Sequence, residues 1–405
     1  MKPSLNIDYQ DPKYNLLSKI FKFIDSKTAM KIYGRNNIKD VKKFSLFIKL
    51  IFISLYYDYT ISDLIYEIKG NERWIKFLNI ESDFPSSDQV YEYMARLDSV
   101  QVVNVVNSLL KLFNNNRKRR KTLIVDATSI ECDINHIKRY ISKEKLEKLN
   151  LKWGYSTTKK YYIGFKLTMV LDNDTMAPVS MLLHSGAKSD VKIYSEILEE
   201  LKRRHIIKKG DIILFDRGYY SKENYNIGIL QYNIVPLIFP RKNLNFKKLK
   251  DSFSYSLDVF FEKTKVKKLK REINRLFNRL SNMLENWKEY KPIRGLIEDF
   301  FKVTKSAFNL DKLHKYTHES VLKTTYLCIL LTTIAVNNGY STKTGMQQLS
   351  EGKLNQKPIK KTKKTDTDNK DEKNKNSSGL YSKQKEETHN TKKEHRRTGQ
   401  QYLKI

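Results

Sequence analysis

The spacing of apolar and polar positions along the chain changes its period once, near residue 120. Before that point apolar residues recur at helical spacing, and the run Val41–Tyr57 carries them on more than one face, as a buried helix does. Ser86 stands where the N-cap of a further helical run is expected. The pattern therefore predicts an all-helical N-terminal region over residues 1–118.

Beyond this boundary, short apolar runs bounded by polar residues predict strands. The runs are residues 122–128, 161–171, 179–184, 211–216 and 234–239. The second and third flank a turn-like segment and predict a hairpin. Residues 190–204 have the pattern of an amphipathic helix. Strands followed by alternating helix and strand favour an α/β fold with a mixed sheet flanked by helices, over residues 119–340.

Two later segments are strongly basic. Residues 241–280 hold 13 Lys and Arg against 4 Asp and Glu, and this segment has the position of an insertion within the α/β domain. A helical pattern then continues to Phe308, and a final apolar helix is predicted at residues 320–336. From Glu351 onward aliphatic residues are nearly absent, so too little apolar surface is available to offset the entropy of ordering. Residues 341–405 are accordingly predicted to be a disordered basic tail.

Charge narrows the partner class. The chain has 77 Lys and Arg against 45 Asp and Glu, a net charge of +32. A polyanion is the expected partner, since phosphate neutralisation drives much of nucleic-acid binding, although composition alone leaves an acidic membrane surface open.

The start of the chain lacks the apolar core of a signal peptide, and residues 325–336 are shorter than the about 20 apolar residues of a span. With only Cys132 and Cys328 there is no disulfide framework. We expect a cytoplasmic, nucleoid-associated protein with no membrane partner.

Two carboxylates stand at the ends of predicted strands. Asp126 follows Leu-Ile-Val, and Asp216 follows Ile-Ile-Leu-Phe and precedes Arg-Gly-Tyr. In open α/β sheets, sites form at the carboxyl ends of strands, and hard cations such as Mg²⁺ take oxygen ligands there. An Asp at a strand end also commonly caps a turn, so either residue alone is ambiguous. Both together, in a strongly basic chain, favour a metal site.

A third group lies on a predicted helix. Arg294 and Glu298 are four residues apart and share a face, and Lys305 lies two turns beyond on roughly the same face. Tyr290 stands one turn before the arginine. On an isolated helix this pattern is most often a solvated salt-bridge face. Together with the two strand-end acids it supplies acid for metal and base for phosphate, which phosphoryl chemistry requires.

These residues resemble the DDE transposases of prokaryotic insertion sequences, which have a ribonuclease H-like catalytic domain. The resemblance covers roughly residues 121–340. It rests on VDAT around Asp126, FDRGYYS around Asp216 and the Tyr-Arg-Glu-Lys signature on the helix. GFKL around Lys166 and HSGAKSD ending in Asp190 are also similar to stretches between the first two acids of such enzymes. Arg-x3-Glu-x6-Lys matches the family spacing, while the tyrosine stands one residue farther from the arginine than in the usual Tyr-x2-Arg.

The resemblance implies a role for each site residue. The catalytic and metal-binding set is Asp126, Asp216 and Glu298. The DNA-binding and phosphate-binding set is Tyr290, Arg294 and Lys305. Two divalent ions, Mg²⁺ or Mn²⁺, would be held by the acids and would activate water or a DNA 3′-OH.

The function implied is cut-and-paste transposition, in which cleavage at the element ends precedes strand transfer. The partners implied are the terminal inverted repeats, which residues 1–118 would recognise, and target DNA, with a homodimer or larger assembly on DNA. The basic segment 241–280 would contact DNA. Two alternatives stay open: a metal-dependent nuclease or resolvase of the same fold, and a non-catalytic DNA-binding protein derived from a transposase.

Overall fold

The structure is a computed structural model, and its described part excludes residues 355–405 and several shorter segments. The described residues are 5, 8, 10–80, 84–114, 120–132, 142–149, 151–156, 160–186, 188–240, 245–264 and 266–354. The unit Met1–Lys360 contains all of them. Residues 355–405 of the predicted tail lie outside the described residues, as do residues 115–119 at the predicted domain boundary.

Helices fill the described N-terminal part of the chain, as the pattern predicts. They are α1 (Pro12–Ile24), α2 (Lys27–Arg35), α3 (Val41–Tyr57), α4 (Ile61–Ile68), α5 (Glu72–Leu78), α6 (Ser87–Arg96) and α7 (Ser99–Lys111). Each follows an Asp, Ser, Thr or Asn whose side chain accepts a hydrogen bond from a backbone N–H of the first turn. Ser86 caps α6 in a capping box, and nine residues of α3 are buried. Both sequence predictions are confirmed.

A mixed sheet follows. Its strands in the described part are β1 (Thr122–Glu131), β2 (Lys152–Ser156), β3 (Lys160–Asp172), β4 (Ala177–Ser185), β5 (Ile212–Phe215) and β6 (Val235–Ile238). The order is β2-β3-β1-β5-β6, and β4 pairs with β3. Strand β1 is antiparallel to β3 and parallel to β5, which is parallel to β6. The predicted hairpin and strands are confirmed, whereas β2 was not among the predicted runs.

Helices flank the sheet and continue past it. They are α8 (Lys143–Lys148), α9 (Asp190–Arg203), α10 (Lys222–Asn226), α11 (Phe246–Lys263), α12 (Lys267–Glu285), α13 (Lys291–Ser306), α14 (His318–Ala335) and α15 (Lys343–Ser350). The described residues of the basic segment 241–280 form α11 and most of α12, between β6 and α13. Helix α13 packs against β1. This packing places the polar face of α13 near the point where β1 and β5 lie side by side.

Helix α14 joins the N-terminal helices to the sheet. It packs on α7, α1 and α3 on one side and on β4 on the other. The Tyr326 hydroxyl donates a hydrogen bond to the Met181 carbonyl at 2.8 Å, and Lys323 Nζ donates to the Met94 and Leu97 carbonyls at the end of α6. The helical stretch His318–Tyr340 is longer than the helix predicted at residues 320–336. By length and composition it could cross a membrane. Most of it is buried within the fold, as predicted for a core helix.

The predicted start of the tail at residue 341 is wrong. Residues beyond that point form α15, which packs on α13 and buries Met346 and Leu349 completely or nearly so. Leu354 is buried as well. These apolar side chains recur at short intervals within a polar stretch, and they supply the buried surface that holds this segment on the domain.

At Gly164 the backbone of β3 closely approaches the backbone at the end of β1. Its φ is +149°, and a Cβ there would lie 2.2 Å from the Ile130 carbonyl oxygen. Because L side chains rarely adopt this φ and the contact is with backbone, the position requires glycine. The close pairing fixes β1, which carries the first of the candidate acids.

We expect Gly164→Ala to lower the free energy of unfolding by more than the about 1–3 kcal/mol of backbone strain alone, because a backbone clash is added to the strain. Gly70→Ala is the matched control, since Gly70 has a φ of +82° but nothing within 4 Å of its Cβ position. Urea unfolding monitored by circular dichroism measures both variants. Equal losses in the two would contradict the close approach at Gly164.

Candidate active site

The register of two parallel strands places the first two candidate acids side by side. Val125 of β1 pairs with Phe215 of β5, and Asp126 and Asp216 are the next residues on each strand. Asp126 remains within β1, opposite Met169 of β3, while Asp216 leaves the sheet and opens the helical turn Arg217–Tyr219. Asp126 therefore lies beside Asp216, which follows the carboxyl end of β5. The expectation that Asp126 also ends its strand is wrong, because β1 stays paired with β3 as far as Glu131.

Helix α13 contributes the third acid and a cation between all three. Arg294 NH2 lies 3.1 Å from Asp126 Oδ2 and 3.8 Å from Asp216 Oδ2. Arg294 NH1 lies 2.6 Å from Glu298 Oε1, one turn along the same helix. Three predicted acids, from β1, from the end of β5 and from α13, thus converge on one guanidinium group. The side chains of Arg294 and Asp126 are 17% and 16% exposed, whereas those of Asp216 and Glu298 are 36% and 56% exposed, so the cluster extends from a buried acid to the solvent.

Burial sets the electrostatics of the cluster. Desolvation raises the pKa of Asp126 from 3.8 to about 7; Arg294 and the Ala127 N–H lower it, and the charges of Asp216 and Glu298 add to the rise. For Arg294, burial lowers the pKa, but the three neighbouring carboxylates more than reverse this effect and leave the pKa raised. The cluster is therefore a site of concentrated negative charge that requires a cation.

The other two predicted site residues of this segment, Lys305 and Tyr290, lie in different surroundings. Lys305 Nζ donates to the Ser129 carbonyl at 2.8 Å and pairs with Asp311 Oδ1 at 3.0 Å, so this lysine ties α13 to β1. Tyr290 precedes α13 and is half-buried against the core. It is absent from the described residues that line the cleft around the acids, where Trp287 stands instead. The phosphate and DNA roles of Tyr290, Arg294 and Lys305 stay predictions.

The acids open into a cleft of about 1210 Å³, whose described lining holds six cationic and five acidic residues. Its described cationic residues are Lys166, Arg217, Lys291, Arg294, Lys302 and Lys305. Lys166 Nζ donates to Asp190 Oδ1 at 3.1 Å and to the Lys188 carbonyl at 2.9 Å, which fixes its direction. Lys291 lies over the Trp287 ring, 4.7 Å from its centre. Trp287 and Lys291 stand shortly before Arg294 in the sequence, but no sequence motif assigned either of them to the site.

The three acids of the cluster have the chemistry of a site for a divalent metal ion. Its ligands are carboxylate oxygens, which Mg²⁺ and Mn²⁺ prefer, and a guanidinium cation already occupies the point where they meet. Within the described ranges no three His, Cys, Asp or Glu side chains are close enough to hold one ion. The residues fit a divalent cation in chemistry and charge, provided that the Arg294 side chain moves from between the acids.

Comparison with known proteins agrees with this geometry. The family model described as Transposase DDE domain matches residues 117–334, more than half of the chain. The matched range contains Asp126, Asp216 and the whole of α13. No curated protein matches the chain.

We expect Asp126→Asn to stabilise the metal-free protein increasingly as the pH rises from about 4 to about 7. A carboxyl whose folded-state pKa lies above its unfolded value contributes stability at low pH that is lost as the pH rises through the folded pKa. The amide removes that loss, so the difference in unfolding free energy grows by up to about 4 kcal/mol across the window and is level above it. Urea unfolding in EDTA at several pH values measures it. A difference independent of pH would contradict the raised pKa.

We expect Arg294→Gln to lower the unfolding free energy of the metal-free protein by about 3 kcal/mol, because it leaves the buried Asp126 carboxylate without its cation. Addition of Mn²⁺ should then raise the melting temperature of this variant more than that of the wild type, since no side chain competes with the ion. Arg294→Lys, which keeps one positive charge, is the matched control. Identical Mn²⁺ shifts in wild type and Arg294→Gln would show that the arginine does not compete.

Proposed function

The chain belongs to the transposase DDE domain family, and from this premise we propose that it catalyses metal-dependent cleavage of DNA at element ends and strand transfer into target DNA. One observation carries the proposal: acids from two adjacent strands and from a helix distant in sequence meet at a single cationic group. Structural ion pairs seldom need three carboxylates on one guanidinium. A site for divalent cations and phosphate does need such a concentration of negative charge beside basic residues.

Asp126, Asp216 and Glu298 would hold the ions, Mg²⁺ or Mn²⁺, as a pair. When bound, such ions activate water or a DNA 3′-OH and stabilise the leaving oxygen in an in-line displacement. Asp126 would be the central ligand of the three, because β1 lies between β3 and β5 in the sheet. Asp126 is the least exposed of the three acids, and charge interactions are strongest where water is scarce.

Phosphate binding is assigned to the basic side of the cleft. Arg294 offers a planar pair of donors for a phosphate beside the scissile bond, and Lys305 and Lys166 supply point charges along the cleft. Tyr290 would contact DNA near the cut. The basic helices α11 and α12, which lie between the second acid and the third along the chain, would make further contacts with DNA.

The fold of the catalytic half supports a ribonuclease H-like assignment. An antiparallel group of strands, β1, β3 and β4, is followed by the parallel strands β5 and β6, with helices between them, and the first acid lies on the central strand. The N-terminal helices would recognise the terminal inverted repeats. We further propose a homodimer or larger assembly on paired ends, acting in the cytoplasm on nucleoid DNA.

The test is cleavage of labelled duplex DNA that carries the element's own terminal repeats, with Mg²⁺ or Mn²⁺ against EDTA. We expect metal-dependent cuts at the repeat ends and joining to a target plasmid. Asp216→Asn should reduce cleavage by at least about a hundredfold, since it removes a direct ligand and loss of an outer-shell partner alone costs 10–100-fold. Asp174→Asn, an exposed acid in the turn between β3 and β4, is the matched control and should cleave as the wild type does.

Three outcomes would contradict this proposal or part of it. Cleavage without joining would support a nuclease or resolvase. Tight, salt-sensitive DNA binding with no cleavage would support a non-catalytic DNA-binding protein. Full activity of Asp216→Asn would remove that residue from the site.

A further inference from the structure

A lysine and an aspartate from different elements form an ion pair inside the cleft of the candidate active site. Lys166 of β3 and Asp190, the first residue of α9, both line this cleft together with the candidate acids. Lys166 Nζ lies 3.1 Å from Asp190 Oδ1, and the two side chains are 14% and 30% exposed. The proposed chemistry uses the lysine as a cation but gives the aspartate no role.

The arrangement of the strands explains how β3 and α9 reach the same cleft as the acids. Strand β5 ends opposite Val125, whereas β1 continues to Glu131, so beyond Val125 this edge of β1 is not paired with β5. The cleft opens there along residues 126–129 of β1. Lys166 is the register partner of Ser129 on the other edge of β1. The early end of β5 therefore lets side chains of β3 and α9 line the cleft.

Two acceptors from one segment fix the direction of the Lys166 ammonium group. Its Nζ donates to Asp190 Oδ1 at 3.1 Å and to the Lys188 carbonyl oxygen at 2.9 Å. An ammonium group has three donors, and the described residues supply acceptors for these two. One donor is therefore left for a ligand in the cleft, and the other two contacts set its direction.

The second oxygen of the same carboxylate lies against the helical turn Arg217–Tyr219, which follows Asp216. A Cβ atom built on Gly218 would lie 2.9 Å from Asp190 Oδ2, and the three nearest heavy atoms beyond its chain neighbours all belong to Asp190. Helix α9 packs against this turn. Asp190 therefore connects the Lys166 side chain with the turn that follows the second candidate acid.

Stability alone gives a weak reason for this ion pair. A partly exposed ion pair contributes little to the free energy of unfolding, and ordering a lysine side chain costs rotamer entropy. An acid in the first turn of a helix also interacts favourably with the helix dipole. That interaction, however, requires no contact between Asp190 and a lysine of another element. The pair is better explained by the fixed place that it gives to a cation in the cleft.

We propose that Asp190 is a positioning residue, which holds the Lys166 ammonium group in the direction of a DNA phosphate in the cleft. This inference rests on the proposed function and adds to it the residue that orients one of its phosphate-binding cations. Because a lysine side chain has many rotamers, fixing it before DNA binds lowers the entropy cost of the phosphate contact.

The sign of one substitution separates positioning from a simple effect of charge. Asp190→Ala removes a negative charge from the cleft, and electrostatics alone would then predict tighter binding of DNA. If Asp190 acts through Lys166, the same substitution weakens DNA binding, because the lysine loses its fixed direction.

The experiment measures binding of the full chain to a labelled duplex that carries the element's terminal repeat, by fluorescence anisotropy in EDTA at several salt concentrations. We expect Lys166→Met to weaken binding about fivefold and to reduce the slope of log K against log salt by about 0.9, as the loss of one phosphate contact does. Asp190→Ala should weaken binding about threefold and reduce the slope in the same direction. The double variant should bind no more weakly than Lys166→Met, because the aspartate has nothing to position once the lysine is gone.

A second variant disturbs the pair without changing any charge. Gly218→Ala places a methyl group against Asp190 Oδ2, so it should weaken DNA binding as Asp190→Ala does. Glu200→Ala is the matched control, since Glu200 is a 22% exposed acid of the same helix that pairs with Arg203 and is not among the described residues that line the cleft. This control should not weaken binding. Circular dichroism checks that each variant is folded.

Unchanged or tighter binding by Asp190→Ala, or by Gly218→Ala if the first variant does not fold, would overturn the inference. Further weakening in the double variant relative to Lys166→Met would overturn it too, since the aspartate would then act independently of the lysine. Absence of cleavage by the wild type, with Asp190-dependent binding retained, would contradict the proposed function and leave this inference standing. Absence of DNA binding by the wild type would overturn both.

Discussion

The contact of the Arg294 guanidinium with three carboxylates is the interaction that the candidate active site depends on. The carboxylates of the three acids, Asp126, Asp216 and Glu298, would repel one another if no cation lay between them. The Arg294 guanidinium group offsets this repulsion, because it attracts each carboxylate. None of the three acids is near another in sequence. The fold must therefore supply the β1–β5 register and the packing of α13 on β1 before the cluster can exist.

The packing around α14 stabilises that arrangement. This helix is buried on nearly all sides and contacts both the N-terminal helices and the sheet. Its Lys323 satisfies the carbonyl groups at the end of α6, and its Tyr326 satisfies a carbonyl of β4. Helix α13 packs on α14 as well, so the helix that carries Arg294 and Glu298 is held by the same core as the strands that carry the other acids. Lys305 adds a direct hydrogen bond from α13 to β1.

Local patterns were sufficient for much of the fold and for the acids. Short apolar runs predicted β1, β5 and β6, because buried strands need continuous apolar residues, and the two Asp residues that follow the runs were identified with them. Only Asp216 ends its strand, since β1 continues to Glu131 with less buried residues. Strand β2 was missed because its Trp and Tyr face solvent while a glycine faces inward, which reverses the usual signal. The end of the domain was placed too early, since α15 depends on a few apolar contacts with α13 rather than on its own composition.

What the sequence left undetermined is the partner of each charged side chain. Helical spacing put Arg294, Glu298 and Lys305 on one face, but it did not distinguish a phosphate ligand from a counter-ion of the acids. In the structure NH1 and NH2 of Arg294 are both engaged by carboxylates, and its Nε has no hydrogen-bond partner. The same two nitrogens would be needed for a bidentate phosphate contact. Within the proposed function the two roles are therefore exclusive. Arg294 would be free to bind phosphate only with its contacts to the carboxylates broken, and the carboxylates would then need another cation, so this one side chain would couple metal binding to DNA binding.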